Sequence, residues 1–250
     1  MAKILITNDD GIHSPSLEVL RKNLEKLGDV IIVVPEREMS AASHSLTLRR
    51  PLRVSQIKKG IFITDGTPSD CINIGMLGIL KGKPDLVVSG INMGPNLGDD
   101  ITYSGTVAAS IEATLRSVPS FAISAASCKN CKFNVAAKFA FVLAQYILKN
   151  GLPSRTFLNV NVPNVSIKRI KGIEITRQGK RIYKEKLVKR TDPKGREYYW
   201  LGGEEPSSEI EERTDFAAIA RNKISITPVH LDLTNYKMID KLRNWHIKFP

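Results

Sequence analysis

Cysteine is scarce in this sequence, and no stretch stays apolar for long. Three cysteines among 250 residues are an odd number, which argues against a disulfide framework and fits a reducing compartment. No run approaches the roughly 18 apolar residues a bilayer span needs, and the polar TNDD near the N-terminus stands where a secretory signal would need its apolar segment. Together these absences predict a soluble, cytoplasmic protein with no membrane partner. There is no internal repeat and no low-complexity segment. The loop after the first predicted strand lacks G-x-G-x-x-G, which disfavours an NAD-type module.

What is present is enough apolar sequence, 42%, to bury a proper core, as one large domain or one domain with an extension. The net charge of +12 is unevenly spread: between Lys168 and Trp200 twelve Lys or Arg stand against four acids, an excess of eight. Such a segment can hold nucleic acid or another polyanion by counterion release. Aromatics interleave with it only at Tyr183 and the Tyr198-Tyr199-Trp200 cluster, so a solvated projecting arm is the plainer reading. Nucleic acid is a partner to consider but not the favoured one.

Strands and helices alternate through the first half. Lys3 to Thr7 and Ile31 to Val34 have the length of buried strands. Between them Ser14-Pro15 gives an N-cap and first-turn proline, Leu17, Leu20 and Leu24 keep one face apolar, and Gly28 ends the helix. Thr67-Pro68-Ser69-Asp70 opens a second helix through about Leu80, and Gly82-Lys83-Pro84 breaks it before a strand at Leu86 to Ser89. Helix over Thr106 to Arg116, strand at Phe121 to Ser124, helix over Phe133 to Leu148 and strand at Phe157 to Val160 complete a Rossmann-like three-layer α/β core, a parallel sheet covered on both faces. This core takes residues 1–165. Residues 166–250 form a C-terminal part, not an independent domain. It holds a hairpin arm at about 173–202 with its turn at Asp192-Pro193-Lys194-Gly195, an acidic loop over 203–215, a strand at Lys223 to Thr227 and a terminal helix from Leu233 to Trp245.

The first strand runs directly into Asn8-Asp9-Asp10-Gly11. In a regular strand neighbouring side chains point to opposite faces, so Asp9 and Asp10 can serve one ligand only if the strand has already ended, as Gly11 suggests. The position is the ligand crevice beyond the carboxyl ends of an open α/β sheet. Two carboxylates that close repel unless a cation lies between them, and Mg²⁺ or Mn²⁺ would serve. A helix-capping turn, with an Asp satisfying backbone N–H groups, is the competing reading.

Two other strand ends bear on that choice. One runs into Pro35 to Ser45, rich in hydroxyls and small residues. The other runs into GINMGPNLGDDITYSGTVAAS after Ser89. Loops of this composition offer donors and close backbone approach, as a phosphate requires. Ser104-Gly105-Thr106 at a helix start would aim N–H groups and the helix dipole at an anion.

The blocks TNDDG at 7–11, SAASHSLTL at 40–48, GTPSDC at 66–71 and SGINMGPNLGDDITYSGTVAA at 89–109 resemble the signature blocks of the SurE survival proteins. Asn159-Val160-Asn161-Val162-Pro163 and Ser225-Ile226-Thr227-Pro228 extend the resemblance along nearly the whole chain. It implies a metal-dependent phosphatase acting on nucleoside monophosphates, with one divalent ion per subunit held by Asp9, Asp10, Ser40 and Asn92. Where such proteins commonly have glycine after the loop serine, this chain has Ala41. The resemblance also implies homodimers or homotetramers assembled through the hairpin and an exchanged C-terminal segment. Under this reading Asn8, Asn96, Ser104, Gly105 and Thr106 bind phosphate and stabilise developing charge. Asp9, Asp10 and Asn96 form the catalytic set, with Asp9 able to align the water or act as base. An aspartyl-phosphate route fits adjacent acids poorly, because the familiar Asp nucleophiles are spaced D-x-D.

Other residues carry weaker signals. His13 reads as an ordinary loop histidine, His44 could shuttle protons, and His230 reads as structural or as part of a subunit contact. Cys128-x-x-Cys131 has metal-ligand spacing but no second pair, and Cys71 reads as core. Asp99-Asp100 is expected to hold loop geometry or meet solvent. Two function classes remain: a phosphomonoesterase for nucleoside 5′- or 3′-monophosphates, and a non-catalytic nucleotide or nucleic-acid binding module using the same cleft and the basic arm.

Overall fold

The computed structural model describes residues 1–127, 129–182, 185–203, 207–208 and 211–249. Cys128 and Tyr183, singled out from the sequence, lie outside the described residues.

Strand β1 (Ala2–Thr7) shows why the centre of the sheet forms. Ile4 and Ile6 face one side, Leu5 faces the other, and all three are buried, as a strand covered on both faces requires. Helix α1 (Ser16–Leu24) lays Leu17, Leu20 and Leu24 on the Ile4–Ile6 side. Strand β2 (Gly28–Pro35) pairs parallel with β1. A hairpin of β3 (Val54–Lys58) and β4 (Ile61–Thr64) borders the sheet beyond β2. Helix α2 (Pro68–Asn73) starts at a capping box in which Thr67 and Asp70 exchange side-chain to backbone bonds, and wider π-helical turns carry it on to Ile79. Then come β5 (Leu86–Met93), α3 (Gly105–Leu115), β6 (Ser120–Ala126), α4 (Phe133–Asn150) and β7 (Thr156–Pro163). Helices α1 and α4 cover one face, α2 and α3 the other, and the central strands are parallel, giving the expected three layers.

The remainder is β8 (Ile173–Ile175), β9 (Arg181–Ile182), β10 (Glu185–Thr191), β11 (Glu197–Gly203), β12 (Ser207–Ser208), α5 (Asp215–Ala220), β13 (Ile224–His230) and α6 (Tyr236–Arg243). The large sheet has nine strands in the order β3-β4-β2-β1-β5-β6-β7-β13-β8, with β13 antiparallel to β7.

Four local expectations change. Gly28 does not end α1, which stops at Leu24; it opens β2, where a Cβ would lie 2.0 Å from the Ala2 carbonyl oxygen. Ser14 does not cap α1 through its side chain, which instead meets Asp10 and Ser16. The arm is shorter than 173–202: Ile173–Ile175 belongs to the large sheet, and the hairpin proper is β10 with β11. The stretch over 203–215 leads into α5, whose N-cap is Thr214, so it is not loop alone. No helix among the described residues is long and apolar enough to cross a membrane.

Candidate active site

The turn after β1 is built by Asn8. Its amide nitrogen donates to the Gly11 carbonyl and its amide oxygen accepts from the Gly11 N–H, both at 3.1 Å. Gly11 takes φ +79°, and a Cβ there would lie 2.9 Å from Arg37 backbone. The strand has therefore ended before the two acids, which frees Asp9 and Asp10 from strand alternation. Asn8 is fully buried, and its amide shapes this turn.

Asp9 reaches the start of α3, 97 residues away. Its carboxylate accepts from the Thr106 N–H at 3.1 Å and from the Thr106 hydroxyl at 2.5 Å. Gly105 makes this approach possible, since a Cβ there would lie 2.8 Å from the Asp9 Cβ. Helix capping and a ligand role are thus not exclusive: Asp9 sits on the positive end of α3, not of α1. The expectation of several N–H groups facing an anion narrows accordingly, because Thr106 is bonded to Asp9 and the Val107 N–H is bonded to Ser104 Oγ.

Both acids are held above the ordinary carboxylate range. Burial is the first cause for Asp9, opposed by its bonds to Thr106. For Asp10, burial and the neighbouring Asp9 charge push the pKa to about 6, against bonds from Met93 and Ser14. Glu38, an acid the sequence reading passed over, adds repulsion at both.

The other two strand ends converge on this turn. The Met39 N–H donates to the Asp9 carbonyl at 2.8 Å, setting Ser40 one residue further along, where its hydroxyl donates to Glu38 at 2.6 Å. Ser43 ties this loop to the Thr102 and Tyr103 carbonyls, and Thr67 and Asp70 hold it at Ser45 and Thr47. Asn92 stands next to Met93, the backbone contact of Asp10, just beyond a register shift between β5 and β6. Its amide donates to the Gly94 carbonyl at 2.9 Å. Asn96 is anchored from below: its N–H donates to Asn161, its carbonyl accepts from Asn159 and Asn161, and its amide donates to Ser124. Asn159 and Asn161 are both fully buried. Two asparagines at period two in an otherwise apolar strand were a readable signal for this role.

A family model described as "Survival protein SurE" matches residues 4–185. The chain belongs to the SurE family. Among its relatives, the protein named 5′-nucleotidase SurE from Geobacter sulfurreducens is 51% identical over 245 residues, covering 98% of this chain and 94% of the relative. The protein of the same name from Pelobacter propionicus is 50% identical over 243 residues, 97% of this chain and 98% of the relative. The crystal structure of the SurE protein from Aquifex aeolicus superposes with a TM-score of 0.88 at 45% identity, covering 98% of this chain and all of that one.

Around the Asp9–Asp10 turn, the residues brought together by the three strand ends offer oxygen donors. Among the described residues no three His, Cys, Asp or Glu side chains gather into a metal-holding group, so a cation here would rest on two carboxylates and neutral oxygens. A buried Asp9 and a half-buried Asp10, both with raised pKa values and the Asp9 charge repelling Asp10, fit a hard divalent ion, which relieves that repulsion. His44 is engaged by Glu112, its Nε2 lying 2.9 Å from that carboxylate, seven residues into α3. His13 and His230 are exposed, and Cys71 is buried in the core as expected. Asp99 accepts from the Arg181 N–H and Asp100 pairs with the Arg181 guanidinium, so both hold loop geometry.

Proposed function

We propose that this chain is a 5′-nucleotidase, a phosphomonoesterase that hydrolyses nucleoside 5′-monophosphates, and also 3′-monophosphates, to nucleoside and phosphate. The observation that carries the reading is the Asp9 carboxylate seated on the α3 N-terminus beside Asp10, in a chain about half identical to curated relatives of that name.

Asp9, Asp10, Ser40 and Asn92 would hold one Mg²⁺ or Mn²⁺ per subunit, which would supply Lewis acidity at a phosphoryl oxygen. The chain's own residues do the rest. The positive end of α3, with the Ser104 hydroxyl and the Gly105 backbone, attracts the phosphate dianion. Asn96, fixed from β6 and β7, presents a rigid amide to the equatorial oxygens as charge grows on them. Asp9, oriented by Thr106, aligns water for in-line attack or takes its proton. Release of phosphate from a nucleotide panel and an aryl phosphate, with and without EDTA and added Mn²⁺, tests this. Metal-dependent turnover lost in Asp9→Asn is expected; no release by folded, metal-supplemented protein refutes it.

We also propose a homodimer or homotetramer. The β10–β11 hairpin forms a sheet of its own and exposes Leu187, Trp200 and Leu201, while α6 buries no residue and is followed by exposed Trp245, Ile247 and Phe249. A monomeric sedimentation profile at micromolar protein would count against it. The same hairpin's exposed lysines and aromatics favour the second reading, nucleic-acid binding without turnover. Salt-dependent binding to a single strand, lost on charge reversal at Lys186, Lys189 and Arg190, would reopen that case.

A further inference from the structure

Asp215 is a fully buried carboxylate far in sequence from every residue of the site. It accepts three backbone N–H bonds from two separate segments and its own helix start: Gly98 at 2.8 Å on Oδ2, and Gly179 and Phe216 at 2.9 Å each on Oδ1. Burial raises its pKa against these three bonds. The Gly98 carbonyl is gripped as well, by Gln178 Nε2 at 3.1 Å. Gly98 takes φ +52°, and a Cβ on it would lie 2.6 Å from the Gly179 carbonyl oxygen. Gly98 is therefore pressed against Gly179 with no room for a side chain between them, while Asp99 and Asp100 meet Arg181 beside it.

This contact bears on the site through chain connectivity. Gly98 lies two residues after Asn96 and opens the turn Gly98–Thr102 that delivers Ser104 and the α3 N-terminus, where Asp9 is bound. Asn96 is held from β6 and β7, and Ser43 holds the Thr102 and Tyr103 carbonyls. Between those anchors, Asp215 and Gln178 grip Gly98 at both its N–H and its carbonyl, and Arg181 holds Asp99 and Asp100. A buried charge kept there with three donors contributes little net stability relative to an apolar replacement, so its value lies in fixing a position.

We propose that Asp215, assisted by Gln178, is a positioning residue for the active site: it sets the 94–104 loop, and through it Asn96 and the first turn of α3, against the Asp9–Asp10 turn. The inference rests on the nucleotidase reading for its kinetic consequence only.

The test compares wild type with Asp215→Asn and Gln178→Ala, as full chains, by hydrogen exchange of the 94–104 peptides without substrate and by kcat and KM for a nucleoside monophosphate. Asparagine keeps one acceptor oxygen and turns an NH₂ toward either Gly98 or the Gly179 side, so one segment is released while the buried volume is kept. The expected result is faster exchange over 94–104 with the β1, β5 and β6 peptides unchanged, and kcat lowered at least tenfold with KM changed less than threefold. Gln178 is exposed and its removal leaves the fold intact, so it decides the matter should Asp215→Asn not fold; there the same pattern is expected, with kcat lowered about threefold. Unchanged exchange over 94–104 in either folded variant overturns the proposal, as does unchanged kcat in an active enzyme. A wild type that releases no phosphate defeats the nucleotidase reading instead, and the exchange result still decides the placement.

Discussion

The Asp9 carboxylate holds Thr106 by both its N–H and its hydroxyl, with Gly105 supplying the gap through which it approaches. The relationship joins the end of β1 to the start of α3 across 97 residues and lets one carboxylate serve both a helix end and the proposed cation site. Two substitutions separate these roles. Gly105→Ala inserts a methyl 3.0 Å from Asp9 Oδ2 and should displace the carboxylate, lowering turnover by more than tenfold at a stability cost of about 1–3 kcal/mol. Thr106→Val keeps the N–H bond and removes the hydroxyl, costing about 1–2 kcal/mol with a smaller loss of turnover. Chemical denaturation beside phosphate release distinguishes them; full activity in Gly105→Ala would show that Asp9 need not sit there.

The acids also make stability depend on pH, with a sign that metal reverses. Asp10 has its pKa raised from 3.8 to about 6 by burial and the Asp9 charge. A raised folded-state pKa means the folded protein binds the extra proton more tightly than the unfolded chain, so this contribution is complete below about 3.8 and is lost as pH rises through about 6. In EDTA-treated protein Asp10→Asn should therefore melt a few degrees above wild type at pH 8, and the gap should close by pH 4. With Mn²⁺ present the order should invert at pH 8, since the proposed ion would stabilise the wild-type pair. Melting curves at the two pH values, with and without metal, check both halves.

Ala41 occupies the left-handed region at φ +56° in the loop that carries Ser40. That conformation costs an L-residue with a Cβ about 1–2 kcal/mol, and glycine would adopt it without that cost. Ala41→Gly removes the strain and adds freedom to the unfolded chain, an opposing effect of about 0.4–1 kcal/mol. A net gain below about 1 kcal/mol is expected from denaturant midpoints, with metal affinity unchanged. A clear loss of stability would mean that the loop's conformation is not the one seen.

Much of this fold was legible because the central strands and their helices announce themselves by period. Lys3 to Thr7 and the Leu17, Leu20, Leu24 stripe needed only alternation and spacing, and the Thr67 cap is a local device. What was missed is what period cannot show. Strand β3 is exposed at every position, so no apolar pattern marks it, and its hairpin with β4 went unread. Gly28 was misassigned because a glycine after a helical stripe reads as a helix stop, whereas the closeness of Ala2 is a tertiary fact. Ile173 to Ile175 is strand-like in either setting, and only pairing with β13 places it in the large sheet instead of the arm. Within the site, residue types pointed to Asp9 and Asp10 and to the Ser104-Gly105-Thr106 turn. Their mutual contacts, the bonds from Asn159 and Asn161 to Asn96, and the reach of Asp215 to Gly98 span more than 60 residues each and leave no local trace.

Glu112 ties the same loop from the other side. It is buried on α3, accepts from His44 Nε2 at 2.9 Å and from Arg116 Nε at 3.0 Å, and the His44 bond is the first cause holding its carboxyl below the usual range. A lowered folded-state pKa places this stability above about pH 4.5, the ordinary value, and removes it as pH falls through the lower folded value. Glu112→Gln should thus cost about 1–2 kcal/mol at pH 7 and much less near pH 3. Because His44 is bonded to Glu112, six residues along α3 from the Thr106 that meets Asp9, kcat should fall by no more than about threefold, a barrier change of under 1 kcal/mol. If His44 were instead the proton shuttle of the reaction, His44→Ala would lose about a hundredfold or more and reshape the pH–rate profile, while Glu112→Gln would shift that profile. Comparing the two profiles therefore decides whether His44 is a tether of the Ser40 loop or a participant in proton transfer.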